Sequence, residues 1–286
     1  MTGQGPYPAV VFAGGGNRCV WQAGFWQVAA PALGLRPRVV AGVSAGAYIA
    51  CVLFSGRLEQ AMAYAREAMG HNLRNCYPAN LWRGGPVFPH LGIYRRGILK
   101  IFDQAAWERL RQGPQVRVLL ARPPRWAGAV AGVLLGFGAY ALEKRLRAPL
   151  HPRFAARLGF RPELVLAADC AGPPELAELI LASSCTPPIV PPMYRQGGVV
   201  LDGGLVDNVP LLAIRPGEGP TLVLLSRRYP PSLLTGHPGV TYLQPSRPVG
   251  ISKWDYTNPQ AIQEAFDLGR QDAESFLRQG PAALQR

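Results

Sequence analysis

Three short segments of this sequence hold side chains and backbone groups that could act together on a carbonyl group. Residues 42–46 read G-V-S-A-G, the pattern of a nucleophile elbow, in which a sharp turn from strand to helix presents the hydroxyl of Ser44. Residues 14–16 are a glycine triplet after an apolar run, and Asp202 precedes two glycines. A hydroxyl nucleophile, a carboxylate base and N–H groups that hold an oxyanion are the components of covalent acyl transfer.

The glycine triplet has two competing interpretations. A dinucleotide-binding loop needs the pattern G-x-G-x-x-G, but Cys19 occupies the third glycine position and no acidic residue follows about 20 positions later. An oxyanion hole needs only N–H groups at the beginning of a helix, directed at developing negative charge. We favour the oxyanion hole, because a nucleophile elbow requires such a partner. We expect Asn17 to cap a helix that runs to about Leu33.

Asp202 has a plain alternative as a turn residue, because Asp commonly precedes Gly in turns. A Ser–His–Asp triad in the chain order of α/β hydrolases would need a histidine after Asp202. Only His237, in a T-G-H-P-G loop, meets that condition. The 43 residues before Ser44 leave room for strand–helix–strand, but not for the further strands that precede the elbow in an α/β hydrolase. The sequence therefore favours a dyad of Ser44 and Asp202.

The elements that must position these residues alternate between strand and helix. Apolar runs and helical periodicity predict strands at 9–13, 38–43, 116–121, 164–169, 199–201, 221–225 and 240–243, and helices at 17–33, directly after Ser44, and at 57–69, 95–112, 176–184 and 259–278. This alternation predicts one α/β domain over residues 1–286, with a mostly parallel sheet covered on both faces. The glycine triplet, Ser44 and Asp202 are all predicted at carboxyl ends of strands, where functional loops lie.

Four motifs, in this order, resemble the patatin-like phospholipase family. They are Gly14-Gly15-Gly16-Asn17-Arg18, then Gly42-Val43-Ser44-Ala45-Gly46, then Ala182-Ser183-Ser184-Cys185-Thr186-Pro187, and finally Asp202-Gly203-Gly204 followed by Asn208 and Pro210. Their order and spacing agree with the family over residues 9–212. The sequence departs from the usual pattern at Ala13, where an Asp is frequent, and at Cys19, where the loop usually ends in Gly.

The resemblance implies a three-layer α/β/α fold and a serine-dependent lipid acyl hydrolase, either a phospholipase A or a carboxylic ester hydrolase. It implies Ser44 as nucleophile, Asp202 as proton acceptor, an acyl-enzyme intermediate, and neither metal nor cofactor. The other motif residues would form the oxyanion hole (Gly14, Gly15, Gly16, Asn17, Arg18), the elbow (Gly42, Gly46) and the surroundings of the carboxylate (Gly203, Gly204, Asn208). The implied partner is a phospholipid or another acyl lipid. An acyltransferase or thioesterase with the same dyad is one alternative, and a catalytically idle membrane-docking protein is another.

Residues 126–142 are 17 positions without a charged side chain, within a helical insertion predicted at about 122–150. As a helix this stretch would be about 25 Å long, at the lower edge of the length that crosses a bilayer. Gly128, Gly132 and Gly136 recur every four residues, which predicts close packing against another helix. The segment could be a core helix or the lid of an acyl pocket, could lie in a membrane interface, or could span the bilayer.

Basic residues border the apolar segment on both sides. They are Arg122 and Arg125 before it, and Lys144, Arg145, Arg147, Arg153, Arg157 and Arg161 after it. This border predicts contact with an anionic membrane surface over residues 122–161, and positive charge on both flanks argues against spanning. The net charge of +13 also favours an anionic partner. No nucleic-acid-binding motif accompanies that charge, so we expect no nucleic-acid partner.

The cysteines and the amino terminus bear on the compartment. The five cysteines are odd in number and form no C-x-x-C pair, which favours buried reduced thiols over zinc ligands or disulfides. The first residues lack the basic and apolar regions of a signal peptide. The sequence therefore predicts a cytoplasmic protein that can associate peripherally with membranes.

Overall fold

The computed structural model describes residues 5–146 and 149–285. Within these ranges the strands are β1 (Ala9–Phe12), β2 (Val39–Val43), β3 (Gln115–Arg122), β4 (Arg161–Leu166), β5 (Met193–Arg195), β6 (Gly198–Asp202), β7 (Thr221–Leu224) and β8 (Val240–Leu243). The α-helices are α1 (Val20–Ala32), α2 (Ala45–Phe54), α3 (Leu58–His71), α4 (Asn80–Arg83), α5 (His90–Ile101), α6 (Gln104–Gln112), α7 (Ala129–Leu146), α8 (Phe154–Arg157), α9 (Pro173–Ser183) and α10 (Pro259–Gln279).

The strands join in the order β5-β6-β3-β2-β1-β7-β8, with β4 also paired to β3. The central run β3-β2-β1-β7-β8 is parallel throughout, whereas β4, β5 and β6 pair in the antiparallel direction. All residues of β1 and β2 are buried, as expected for short apolar strands covered on both faces. The prediction of a mostly parallel α/β sheet is therefore confirmed.

The two faces of the sheet are covered differently. Alternate strand residues, such as Phe12, Val40 and Leu222, face a large core shared with α1, α2, α6, α9 and α10. On the opposite face, Leu119 and its neighbours pack against side chains of α7 and α8, and the β1–β7 side is covered by short 3-10 turns and loops. Helices thus lie on both faces, and the predicted three layers are present, with a thinner second helical layer.

Several predicted boundaries were wrong for local reasons. Asn17 does not cap a helix: residues Gly16–Cys19 form a 3-10 turn, and α1 begins only at Val20. The helix predicted over 95–112 is two helices, because Asp103 caps α6 by accepting a hydrogen bond from the Ala106 N–H at 2.8 Å. The strand predicted over 164–169 ends at Leu166.

Helix α7 lies between β3 and β4 and is the core of the predicted apolar insertion. It begins at Ala129, so Trp126 lies in the turn before it. The predicted close packing of Gly128, Gly132 and Gly136 against another helix was wrong. A Cβ would lie 3.0 Å from Pro123 at Gly132 and 2.9 Å from Phe160 at Gly136, both outside any helix, whereas Gly128 precedes α7 and a Cβ there would meet no described atom within 4 Å. The buried carboxylate of Glu143 accepts hydrogen bonds from backbone N–H groups at the start of α8, at 2.8–2.9 Å.

The outward face of α7 is apolar. The exposed fractions are 75% for Trp126, 74% for Val130, 69% for Leu134, 52% for Leu142 and 63% for Leu146. We call these five residues the α7 ridge. No helix within the described ranges is long and apolar enough to cross a membrane.

The basic border is only partly available on the surface. Arg122 is engaged inside the protein, where its guanidinium pairs with Glu163 and donates to the carbonyl oxygens of Arg195 and Gly198. Arg147 lies outside the described residues. The remaining border residues are exposed: Arg125, Lys144, Arg145, Arg153, Arg157 and Arg161.

Candidate active site

The register of β3 brings Ser44 and Asp202 to the same level of the sheet. β2 pairs with β3 up to Val43 opposite Leu119, and Asp202 of β6 pairs with the next residue, Leu120. Because β4 occupies the other edge of β3 over the same residues, β6 must lie on the edge that β2 has just left. Asp202 was predicted at the carboxyl end of a parallel strand. That prediction was wrong in direction, since β6 is antiparallel and reaches the site from beyond the end of β2.

Ser44 has the backbone of a nucleophile elbow. It follows β2 and precedes α2, and its φ of 55° and ψ of −135° are uncommon for a residue with a side chain. Gly46 lets the turn approach β1, because a Cβ there would lie 2.5 Å from the carbonyl oxygens of Phe12 and Ala13. Gly42 lies at the preceding end of the same turn, in β2.

Ser183, which the sequence did not single out as a site residue, fixes the elbow from α9. Its Oγ accepts a hydrogen bond from the Ser44 N–H at 2.8 Å and donates to the Leu119 carbonyl oxygen at 2.8 Å. The side chain is fully buried, so both bonds are shielded from water. One hydroxyl therefore links the elbow to the strand that also pairs with Asp202.

The Asp202 carboxylate lies among hydrogen-bond donors. The Gly204 N–H donates to Oδ1 at 2.8 Å, and the Thr186 hydroxyl donates to Oδ2 at 3.2 Å. Burial raises the pKa of Asp202 above its ordinary value, against the opposing effects of hydrogen bonds from Gly204, Ser44 and Thr186 and of the charge on Lys253. A carboxyl with a raised pKa is a better proton acceptor near neutral pH than an ordinary Asp.

The glycine loop passes directly over the elbow. Gly16 has φ +59°, and a Cβ there would lie 2.3 Å from the Lys253 carbonyl oxygen, so only glycine fits. The Gly14 N–H donates to the Asn208 carbonyl oxygen at 3.0 Å, and the Asn17 N–H donates to the Lys253 carbonyl oxygen at 3.2 Å. Neither N–H is available to an oxyanion, which corrects the role predicted for Gly14 and Asn17.

Two N–H groups of the predicted loop remain for an oxyanion. Within the described ranges, no acceptor lies against the N–H groups of Gly15 and Gly16. The Arg18 side chain folds back on the loop, with its Nε donating to the Gly15 carbonyl oxygen at 3.3 Å. The predicted oxyanion loop therefore offers two adjacent N–H donors beside the elbow, those of Gly15 and Gly16.

Side chains from distant segments hold the loop in place. The Asn208 amide and the Ser226 hydroxyl both donate to the Gly14 carbonyl oxygen, at 3.2 Å and 2.6 Å. Gly203 and Gly204 begin a 3-10 turn immediately after Asp202, which lets the chain return towards Asn208. The predicted supporting residues therefore lie together, and Ser226 joins them from beyond β7 without any motif to mark it.

Two cavities meet at Ser44. One is lined by apolar side chains of α2, α3 and α5, including Tyr48, Val52, Met62 and Ile93. The other is lined by Gly15, Gly16, Asp202 and several basic side chains. The serine thus separates an apolar chamber from a polar one, an arrangement suited to an amphipathic ester.

The histidines are engaged elsewhere. His237 contacts the Tyr242 hydroxyl at 3.0 Å, and His151 pairs with Asp207 at 2.9 Å. Among the described residues that line the polar cavity none is a histidine. His90 lines the apolar cavity, with its Nε2 2.9 Å from the Trp254 carbonyl oxygen. This arrangement offers Ser44 a carboxylate partner rather than an imidazole.

Comparison with known proteins gives a match to a family model and distant likenesses to solved structures, two of which are described below. Residues 10–214 match the sequence model of a family described as patatin-like phospholipase. No curated protein matches. VipD from Legionella pneumophila has a TM-score of 0.46 at 12% identity, covering 96% of this chain and 67% of that one. Human GIVD cytosolic phospholipase A2 has a TM-score of 0.44 at 12% identity, covering 98% and 63%. The chain thus spans about two thirds of the length of these two proteins.

The Ser183→Ala substitution tests the link between the elbow and β3. It leaves the buried Ser44 N–H and Leu119 carbonyl without their partner, so we expect the free energy of unfolding to fall by about 1–3 kcal/mol. The adjacent Ser184→Ala variant is the matched control, because the one contact of the Ser184 hydroxyl among the described residues is long, 3.4 Å to the Tyr94 hydroxyl. Urea denaturation of both variants measures the difference, and equal losses would show that the Ser183 bridge has no special role.

Proposed function

This chain belongs to the patatin-like phospholipase family, and from that membership we propose a lipid acyl hydrolase in which Ser44 is the nucleophile and Asp202 the proton acceptor. One observation carries the proposal: the Ser44 hydroxyl, the Asp202 carboxylate and the backbone of Gly15 and Gly16 border a single cavity. The three segments are distant in sequence, and together they supply the groups that acyl transfer requires.

The proposed reaction has two halves. Ser44 Oγ attacks the ester carbonyl carbon while its proton passes to the Asp202 carboxylate, and the tetrahedral oxyanion then collapses as the alcohol leaves with that proton. The product is an ester between the acyl chain and Ser44. Asp202 next takes a proton from water as the water oxygen attacks the acyl carbonyl carbon. The bond between that carbon and Ser44 Oγ then breaks, the serine oxygen takes the proton back from Asp202, and the fatty acid is released.

The N–H groups of Gly15 and Gly16 are the proposed oxyanion donors. Among the described residues, neither of these N–H groups has an internal acceptor, which supports this role, since a donor that is already paired cannot respond to developing charge. The loss of one such donor typically costs on the order of 2.7–4 kcal/mol of transition-state stabilisation. The tight packing of Gly16 against Lys253 supports the rigidity that such donors need.

The apolar cavity is the proposed site for the acyl chain. It opens at Ser44 and is bordered by side chains such as Ile49, Val52 and Met69, which offer no strong hydrogen-bonding groups. Transfer of an acyl chain from water to such a surface is favourable by about 25 cal/mol for each Å² of apolar area buried. Binding energy from the chain would therefore position the ester carbonyl over the serine.

Helix α7 is the proposed contact with a membrane surface. Its ridge exposes large apolar side chains to solvent, while Phe137, Tyr140 and Lys144 of the same helix line the polar cavity. Exposed basic residues, Arg125 and Arg145 among them, lie beside the ridge and would meet anionic headgroups. The helix thus combines two of the predicted alternatives, a wall of the substrate cavity and an interfacial surface.

The proposed dyad is tested with three variants and a short p-nitrophenyl ester in solution. We expect Ser44→Ala and Asp202→Asn to abolish hydrolysis and His237→Ala to retain it, because His237 lies away from both cavities.

Burial raises the pKa of Asp202 in the folded protein, so its ionised form is destabilising at neutral pH. Asp202→Asn should therefore melt no lower than wild type, which separates lost chemistry from lost folding. Loss of activity in a folded His237→Ala protein would overturn the dyad.

The pH profile tests Asp202 as the base. Only the deprotonated carboxylate can accept a proton, so activity should fall on the acid side at a pH above the ordinary Asp value of about 3.9. Thr186→Val removes a hydroxyl that stabilises the carboxylate and should move this acid limb to higher pH. Thr235→Val, the same change in an exposed loop, should leave it in place. An acid limb that stays fixed or moves to lower pH in Thr186→Val contradicts the assignment.

The α7 ridge is tested by co-flotation with vesicles that contain anionic phospholipid. We expect the Val130→Ser/Leu134→Ser variant to bind about tenfold less tightly, since two large apolar side chains would no longer leave water. The control is Leu99→Ser/Leu277→Ser, two exposed leucines on α5 and α10. Hydrolysis of the soluble p-nitrophenyl ester should be similar in both variants. Equal vesicle binding by the two variants would show that the ridge is not the docking surface.

A further inference from the structure

We propose that the polar cavity beside Ser44 is a headgroup subsite that selects acyl lipids with a net anionic, phosphate-bearing headgroup over zwitterionic ones. This inference rests on the proposed function and adds the class of substrate. It is carried by four basic side chains that line the cavity: Arg18, Lys144, Arg227 and Lys253. They come from four separate segments of the chain and converge only in the folded protein.

The charge of the cavity is one-sided. Asp202 is the only acidic residue among the described residues that border it. Within the described ranges, none of the four basic side chains forms an ion pair with a carboxylate. Lys253 and Arg227 instead lie over the rings of Trp254 and Tyr229, at 5.1 Å and 4.6 Å from the ring centroids. The cavity therefore holds four cationic side chains against one carboxylate, an excess of positive charge.

The four cations are near enough to affect one another. Burial lowers the pKa of Lys253 most and the charge of Asp202 opposes this, while the charges of Lys144, Arg18 and Arg227 each lower that pKa further. The pKa of Lys144 is likewise lowered first by burial and then by Arg227 and Arg18. Four like charges that face one carboxylate still repel one another, and a bound anion relieves that repulsion. A phosphate offers several acceptor oxygens to such a cluster, and Arg and Lys are the usual residues that bind it.

The position of the cluster relative to the serine identifies the part of the substrate that it would meet. With the acyl chain in the apolar cavity and the ester carbonyl at Ser44, the alcohol side of the ester points into the polar cavity. In a glycerophospholipid that side carries the phosphate. A zwitterionic headgroup would bring its own ammonium among four cations, whereas an anionic headgroup would not.

The experiment compares short-chain phosphatidylglycerol with short-chain phosphatidylcholine, both kept below their critical micelle concentrations so that membrane docking does not contribute. For the wild-type chain we expect kcat/KM to favour the anionic lipid about tenfold. The Lys144→Gln/Arg227→Gln variant should lose most of this preference. Arg145→Gln is the matched control, because it removes a charge next to Lys144 on α7 from a side chain that does not line the cavity.

The outcomes separate the subsite from the proposed chemistry. If wild type hydrolyses a neutral p-nitrophenyl ester through Ser44 but shows no preference between the two lipids, the headgroup subsite is wrong and the hydrolase stands. An Arg145→Gln protein that loses the preference as fully as Lys144→Gln/Arg227→Gln would also overturn it. Competitive inhibition by inorganic phosphate, without any lipid preference, would assign the cluster to free phosphate instead. If no ester is cleaved, the proposed function itself fails and the subsite with it.

Discussion

The arrangement of the candidate active site depends on one edge of β3. β2 leaves that edge after Val43, and β6 enters along it from the opposite direction and ends at Asp202. The inter-strand hydrogen bonds fix this register, so the backbone alone brings the hydroxyl-bearing turn and the carboxylate-bearing turn together. Ser183 ties the elbow to the same edge through Leu119. The side chains of Ser44 and Asp202 then border one cavity.

The environment of Asp202 balances opposing effects. Burial disfavours the charged carboxylate and raises its pKa, while donors from Gly204, Thr186 and Ser44 and the charge of Lys253 favour the charged form. A fully apolar pocket would leave the group protonated, and a fully solvated one would leave it a weak base. The intermediate environment is consistent with a proton acceptor that works without histidine. The pKa of Asp202 then depends on how closely the surrounding residues pack around its carboxylate.

The sequence predicted the local parts of this structure better than the long-range ones. The buried strand before Ser44 and the glycine at position 42 follow from local properties of the chain, since a Cβ on Gly42 would lie 2.6 Å from the Ala47 Cα across the turn, and both lie where they were predicted. The direction of β6 was not predictable, because apolar periodicity does not distinguish parallel from antiparallel pairing. The hydrogen bond from the Asn17 N–H to the Lys253 carbonyl oxygen, which removes that N–H as an oxyanion donor, joins distant segments of the chain. The basic side chains that line the polar cavity also come from distant segments. Such contacts exist only in the tertiary structure.

The buried carboxylate of Glu143 has a mechanical consequence. It accepts the N–H groups of Arg153 and Phe154, so the inner side of α7 is fastened to the first turn of α8 at a point shielded from water. A force applied to the α7 ridge, such as the lateral pressure of a lipid layer, would therefore move α7 and α8 together. Lys144, the next residue along α7, lines the polar cavity, so a tilt of the two helices would move this wall of the cavity relative to the sheet.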